Sequence, residues 1–176
     1  MTSDGDALFQ AVCENPADDT PRLAYADWLQ ENDRPERGEF IRLQCEAWSR
    51  NSDYPSLTAA RERASQLLHA NVVTWHAELP MIDGVAWSDL FVRGFIDGAR
   101  ILHARDLLET LMLVFRATPL RYLTLDDLGS LGFQALLALP HIGRLATLRL
   151  PQFRSTPAMA QLLDEARIRF PNTKIV

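Results

Sequence analysis

The sequence predicts an α+β chain in which an N-terminal helical domain caps a short α/β solenoid. Three observations carry this prediction. Apolar residues recur at helical spacing, punctuated by caps and prolines, over the first 78 residues. Strand-like alternation begins after Pro80. Beyond it, pairs of leucines return at a fixed period, with a helical stretch between them. The predicted domains are residues 1–78 and 79–176.

Ser3 or Asp4 caps a first helix through Glu14, with Leu8, Phe9, Val12 and Cys13 on its apolar face. Asn15-Pro16 ends it, because a residue before proline avoids the α region. Thr20 then caps a second helix with Pro21 at its first position, where the missing N–H is not needed. That helix runs to Asn32. Asp33-Arg34-Pro35 is a break, and Pro35 opens a third helix through Arg50, with Phe40, Ile41, Leu43, Cys45 and Trp48 on its buried side. Residues 51–55 form a turn. A fourth helix follows and runs towards Trp75, with Pro80 as its latest end.

Val85-Ala86-Trp87 and Asp89 to Val92 alternate as strands. Residues 95–102 read as the first repeat strand, followed by a helix over 105–115. Strand Leu120 to Leu125 precedes a helix over 133–139. Strand Arg144 to Leu150 precedes a helix over 158–170, and residues 172–176 close as a last strand. Leu123 to Leu148 and Leu125 to Leu150 are each 25 residues apart, which is the period of a leucine-rich-repeat solenoid. Each L-x-L pair buries two leucines and turns the residue between them outward. The outward positions are Arg100, Tyr122, Thr124, Asp126, Thr147, Arg149 and Gln152. Solenoids bind ligands on such faces, and Tyr and Arg are frequent anchors.

The charge balance excludes nucleic acid as the default partner. The chain carries a net charge of −5, and most of its excess acid lies in the first 40 residues. A nucleic-acid reading survives only through the repeat arginines Arg100, Arg121 and Arg149. No basic leader and no long apolar run stand in the sequence, so a cytoplasmic protein with no membrane role is expected.

Dedicated chemistry is hard to find. Cys13 and Cys45 have no CxxC partner and read as small buried hydrophobes. His69, His76, His103 and His141 are scattered, and neither an HExxH nor a D-x-D-x-D-G loop is present. No metal or cofactor is therefore expected. Trp75 and Trp87 bracket the change of pattern and are expected to seal the junction between lobes. Asp18 and Asp19 precede a helix start, where carboxylates complement the dipole. With Asp27 they define the alternative function, a small enzyme or accessory subunit. Asp19, Arg22, Asp27, Glu31, Arg37 and Glu39 are expected to form a structural charge network, with Arg37 reaching back to Asp27 or Glu31. An interaction module predicts Asp27 and Arg22 buried against each other. An enzyme predicts carboxylates converging in a cleft.

The stretch Pro16-Ala17-Asp18-Asp19-Thr20-Pro21-Arg22-Leu23-Ala24-Tyr25-Ala26-Asp27-Trp28-Leu29-Gln30-Glu31, followed by Arg37, Glu39, Phe40, Ile41 and Gln44, resembles the short helical repeat-companion domain of planctomycete and myxobacterial proteins. The resemblance covers roughly residues 4–48. Where that pattern has Gly-Asp between its halves, this chain has Asn32-Asp33. Residues beyond it are similar to the degenerate leucine-rich repeats that often follow that domain. The resemblance implies a bacterial, non-enzymatic protein-interaction or scaffolding module without catalytic residues, and a protein partner.

Overall fold

The computed structural model describes residues 3–49, 55–126, 130–151 and 157–176, with residues 49, 55–57, 130–131 and 157–159 described by backbone alone. Among these residues the fold is mixed α and β. Seven α-helices accompany a five-stranded, mostly parallel sheet and a separate two-stranded hairpin. The predicted turn at 51–55 and the outward position Gln152 fall largely or wholly outside the described residues.

The four N-terminal helices are α1 (Asp4–Glu14), α2 (Thr20–Glu31), α3 (Pro35–Ser49) and α4 (Pro55–His76). Ser3 and Asp6 form a reciprocal capping box at the start of α1, and the two side chains satisfy otherwise orphaned N–H groups. The cap of α2 differs from the expected one. Asp18 Oδ1 accepts from the Thr20 N–H, which holds the Asp18 carboxyl below its usual range. At the α2–α3 crossing, a Cβ on Gly38 would stand 2.5 Å from the Ala26 carbonyl, so the close approach requires glycine.

Strand β1 (Val85–Trp87) is followed by β2 (Phe91–Val92) and β3 (Phe95–Ile96), which pair as a hairpin, and then by β4 (Gly98–Ile101). Residues 95–102 are therefore not one strand. Asp97 separates two short strands that belong to different sheets. The rest alternates: α5 (Leu107–Ala117), β5 (Tyr122–Leu125), α6 (Ser130–Ala138), a 3-10 turn (Pro140–Arg144), β6 (Thr147–Arg149), α7 (Pro157–Arg169) and β7 (Lys174–Ile175). The sheet order is β1-β4-β5-β6-β7, with β1 antiparallel to β4 and the others parallel.

The chain divides into two compact units. The helical unit comprises residues 1–80 together with Asp89–Ile96, so the hairpin belongs with the helices rather than with the strands that flank it in sequence. The sheet unit comprises Met81–Ser88 and Asp97–Val176. Each has its own apolar cluster. In the helical unit Val12, Ala26, Leu29, Ile41, Cys45 and Phe95 are buried together. In the sheet unit Leu123, Leu125, Leu148 and Leu150 are buried with residues of the intervening helices. Trp75 packs within the helical unit against Phe40 and Phe91. Trp87 packs on the sheet unit's own cluster.

Candidate functional site

The charged residues of the helical unit are arranged around the hairpin. Its turn places Arg93 and Gly94 at φ of 49° and 90°. Gly94 is obligatory there, because a Cβ would stand 2.5 Å from Ile41. The turn sends Arg93 into a buried site behind the α1–α2 connection. Its Nη1 donates to the Ala17 carbonyl at 3.0 Å and to Asp19 Oδ1 at 2.9 Å, and its Nη2 donates to the Pro16 carbonyl. Arg22 donates to the same Pro16 carbonyl at 3.0 Å and lies 3.8 Å from Asp19. Burial, followed by the adjacent Arg93 guanidinium, lowers Arg22 to about 10. Gln44 braces the hairpin backbone by donating to the Phe91 carbonyl and accepting from the Gly94 N–H.

Arg37 fills the other side of the hairpin. Its guanidinium stacks 4.7 Å from the Trp75 ring centroid and 5.3 Å from that of Phe95, and its Nε is 3.6 Å from Glu78. Burial lowers Arg37 to about 10. It does not reach Asp27 or Glu31. Asp27 is largely exposed and pairs with Arg42, which also holds Gln30. Glu39 accepts two hydrogen bonds from Arg63 on α4. Glu31 is exposed, with no side-chain partner among the described residues. The six predicted network residues therefore divide among separate contacts. Asp27 and Arg22 are not buried against each other.

The carboxylates Asp18, Asp19 and Asp27 are likewise held apart, on the Thr20 N–H, on Arg93 and on Arg42 respectively. No group of three or more His, Cys, Asp or Glu able to hold a metal occurs among the described residues. Cys13 and Cys45 are buried and form no disulfide, and burial pushes the Cys45 thiol up to about 12. A thiol held that far from ionisation is a poor nucleophile.

The sheet unit presents a different arrangement. Parallel register aligns Gly98, Tyr122, Thr147 and Lys174 across four strands, and Arg100, Thr124 and Arg149 across three. These side chains point away from the leucine-filled side, as strand alternation requires. Tyr122, Thr124, Thr147, Arg149 and Lys174 line a shallow cavity of about 350 Å³. Four of these five are sequence-named positions. Lys174 is the addition, and the alternation of buried Thr173 and Ile175 around it was its only signal.

Arg100 and Asp126 are not free members of this face. Asp126 is 7% exposed, and its Oδ2 accepts from Arg100 Nε and lies 2.8 Å from Arg100 Nη2. Asp126 follows β5 directly, and its alternation-based outward position places it under the arginine rather than in solvent. Tyr122, by contrast, is 45% exposed.

No protein-family model, curated protein or solved structure matches the chain. Among the described residues, no helix is long and apolar enough to cross a membrane.

Proposed function

We propose that the chain is a non-enzymatic protein-interaction module whose partner binds the outward face of strands β5, β6 and β7. The observation that carries this reading is the cavity lined by Tyr122, Thr124, Thr147, Arg149 and Lys174. None of these five side chains has a hydrogen-bond or ion-pair partner among the described residues, although strand register brings them together. Exposed tyrosine and arginine without internal work are the residue types that anchor interfaces.

The leucine-rich-repeat reading of residues 79–176 is supported by the register of the strands within it. Leu123 pairs with Leu148 in adjacent parallel strands, and each strand is followed by a helix before the next. The repeat-companion reading of the helical unit rests on the Pro16–Gln44 motif. Pro16, Asp19, Arg22 and Gln44 of that motif all serve the site that receives the hairpin or the buried guanidinium beside it. Such a role accounts for their fixed order without catalysis.

A double variant tests the proposal. Tyr122→Ala/Arg149→Ala should keep its fold and lose partners that the unaltered protein captures from a native lysate. The Arg167→Ala variant, altered at an exposed ion pair on α7, should retain them. Recovery of the same partners by all three proteins would refute it.

A further inference from the structure

The sequence pattern sets Trp48 on the buried side of α3, yet the residue is 55% exposed. It lines a second cavity, about 480 Å³ in volume, that lies wholly within the helical unit. One face of α3 supplies Gln44, Ala47 and Trp48, and one face of α4 supplies Arg61, Ser65 and Leu68. The hairpin and the two residues before it complete the lining. Trp48, Leu68, Leu90 and Val92 make this groove apolar, and Leu90 is 66% exposed. The Trp48 ring is held in place from beneath, because the buried Arg93 guanidinium lies 5.5 Å from its centroid. A fixed, exposed tryptophan beside exposed leucine is the kind of anchor around which interfaces form.

Two exposed charges of opposite sign mark the ends of the groove. Arg61 enters no ion pair among the described residues. Asp89 is fully exposed, and its neighbour is His76, 3.8 Å away. At about 1.5 Å per residue, His76 stands about 22 Å beyond Arg61 along α4. The occupant must therefore be long, apolar in its middle and oppositely charged at its ends. The backbone decides its conformation. Gln44 already engages the Phe91 carbonyl and the Gly94 N–H of the hairpin, and the backbone groups of α3 and α4 bond within their own helices. An extended segment finds few main-chain partners here. A helix satisfies its own backbone and needs only side-chain contacts. About four helical turns cover the distance between the two charges. An acidic residue in the first turn and a basic one in the last match Arg61 and Asp89, and the same placement suits the helix's own dipole.

We infer that this groove receives an amphipathic α-helix of a partner protein, anchored by apolar side chains on Trp48, Leu68 and Leu90. Its acidic N-terminal end lies at Arg61 and its basic C-terminal end at Asp89. The surface belongs to the helical unit and stands independently of the sheet face.

The intact protein can be titrated by fluorescence anisotropy against a labelled peptide, Glu-Glu-Ala-Leu-Ala-Gln-Leu-Leu-Ala-Gln-Leu-Ala-Gln-Leu-Lys-Lys, and two relatives of it. One relative exchanges the terminal Glu and Lys pairs. In the other, proline replaces the alanine after the paired leucines and breaks the helix. The first peptide should bind about tenfold more tightly than either relative, and Trp48→Ala should weaken it about tenfold. Arg61→Glu/Asp89→Lys, altered only at exposed side chains, should reverse the preference in favour of the charge-exchanged peptide. Tyr122→Ala/Arg149→Ala, altered in the sheet unit, should bind as the parent does, which separates this surface from the sheet face. Failure of the first peptide to bind, equal binding of the proline peptide, or a preference unmoved by the charge reversal would overturn the assignment. Self-association in sedimentation that the peptide displaces would also overturn it, by making a second copy of the chain the occupant.

Discussion

The helical unit buries three arginines, Arg22, Arg37 and Arg93, and the sheet unit leaves Arg149 in water. Arg22, Arg37 and Arg93 are 1%, 5% and 3% exposed. Each is held by carbonyls, carboxylates or aromatic faces of its own unit. Arg149 is exposed, and Arg100 leaves more than half of its side chain in solvent. One residue type thus performs two functions. Buried, it fixes the seat of a hairpin at a desolvation cost that only good geometry offsets. Exposed and unpaired, it is available to a ligand.

The largest expected effect breaks or upholds this contrast. Arg93→Ala removes the hydrogen bonds to Asp19 and the Ala17 carbonyl and should cost about 3–5 kcal/mol in urea unfolding followed by tryptophan fluorescence. Arg149→Ala should stay within about 0.5 kcal/mol of the parent. Similar losses for both would dissolve the distinction between the units.

A smaller loss, about 1–3 kcal/mol, is expected from Gly94→Ala. The left-handed turn and the neighbouring Ile41 both resist a side chain there. Within the sheet face, Arg100→Ala should also cost about 1–3 kcal/mol, because it leaves the buried Asp126 carboxylate unpartnered. Thermal melts of Arg100→Ala beside Arg149→Ala would separate a spent arginine from a free one. Equal melting temperatures would mean that the ion pair with Asp126 contributes nothing.

The smallest effect concerns pH. Hydrogen bonds from Arg63 hold the Glu39 carboxyl below its usual value of 4.5. A lowered folded value stabilises the protein above the unfolded value, and the benefit is lost as pH falls through the folded one. The stability gap between the parent and Glu39→Gln should therefore be present at pH 7 and close below about 4.5. Both groups are well exposed, so the gap should be small. A gap that widens in acid would reverse the assignment.

Much of the fold was legible because its signals are local. Ser3 with Asp6, Pro21 and Pro35 mark helix starts through short-range capping chemistry. The L-x-L pairs state strand position and facing together, which is how Tyr122, Thr124, Thr147 and Arg149 could be named. The hairpin was not legible. Its strands have two residues each, and its turn puts a non-glycine residue, Arg93, at positive φ. The partners of Arg93 lie more than 70 residues upstream. No local pattern predicts a buried arginine with so distant a seat, so Asp19 and Arg22 were matched to charges nearer in sequence. Arg37 was matched to carboxylates on α2 for the same reason, whereas its partner Glu78 lies 41 positions later. Asp126 was placed outward by alternation and does meet the outward Arg100, but that pairing, which no local pattern announces, buries it.

The most direct measurement is site-specific photo-crosslinking on the intact protein. A photoreactive phenylalanine analogue at Thr147, at the centre of the sheet cavity, should capture a discrete partner that the same probe at the exposed Gln161 of α7 does not. That capture should vanish when Arg149→Ala and Lys174→Ala are added. Crosslinks of equal yield from Gln161, or capture at Thr147 that survives both substitutions, would contradict the assignment of function to this face.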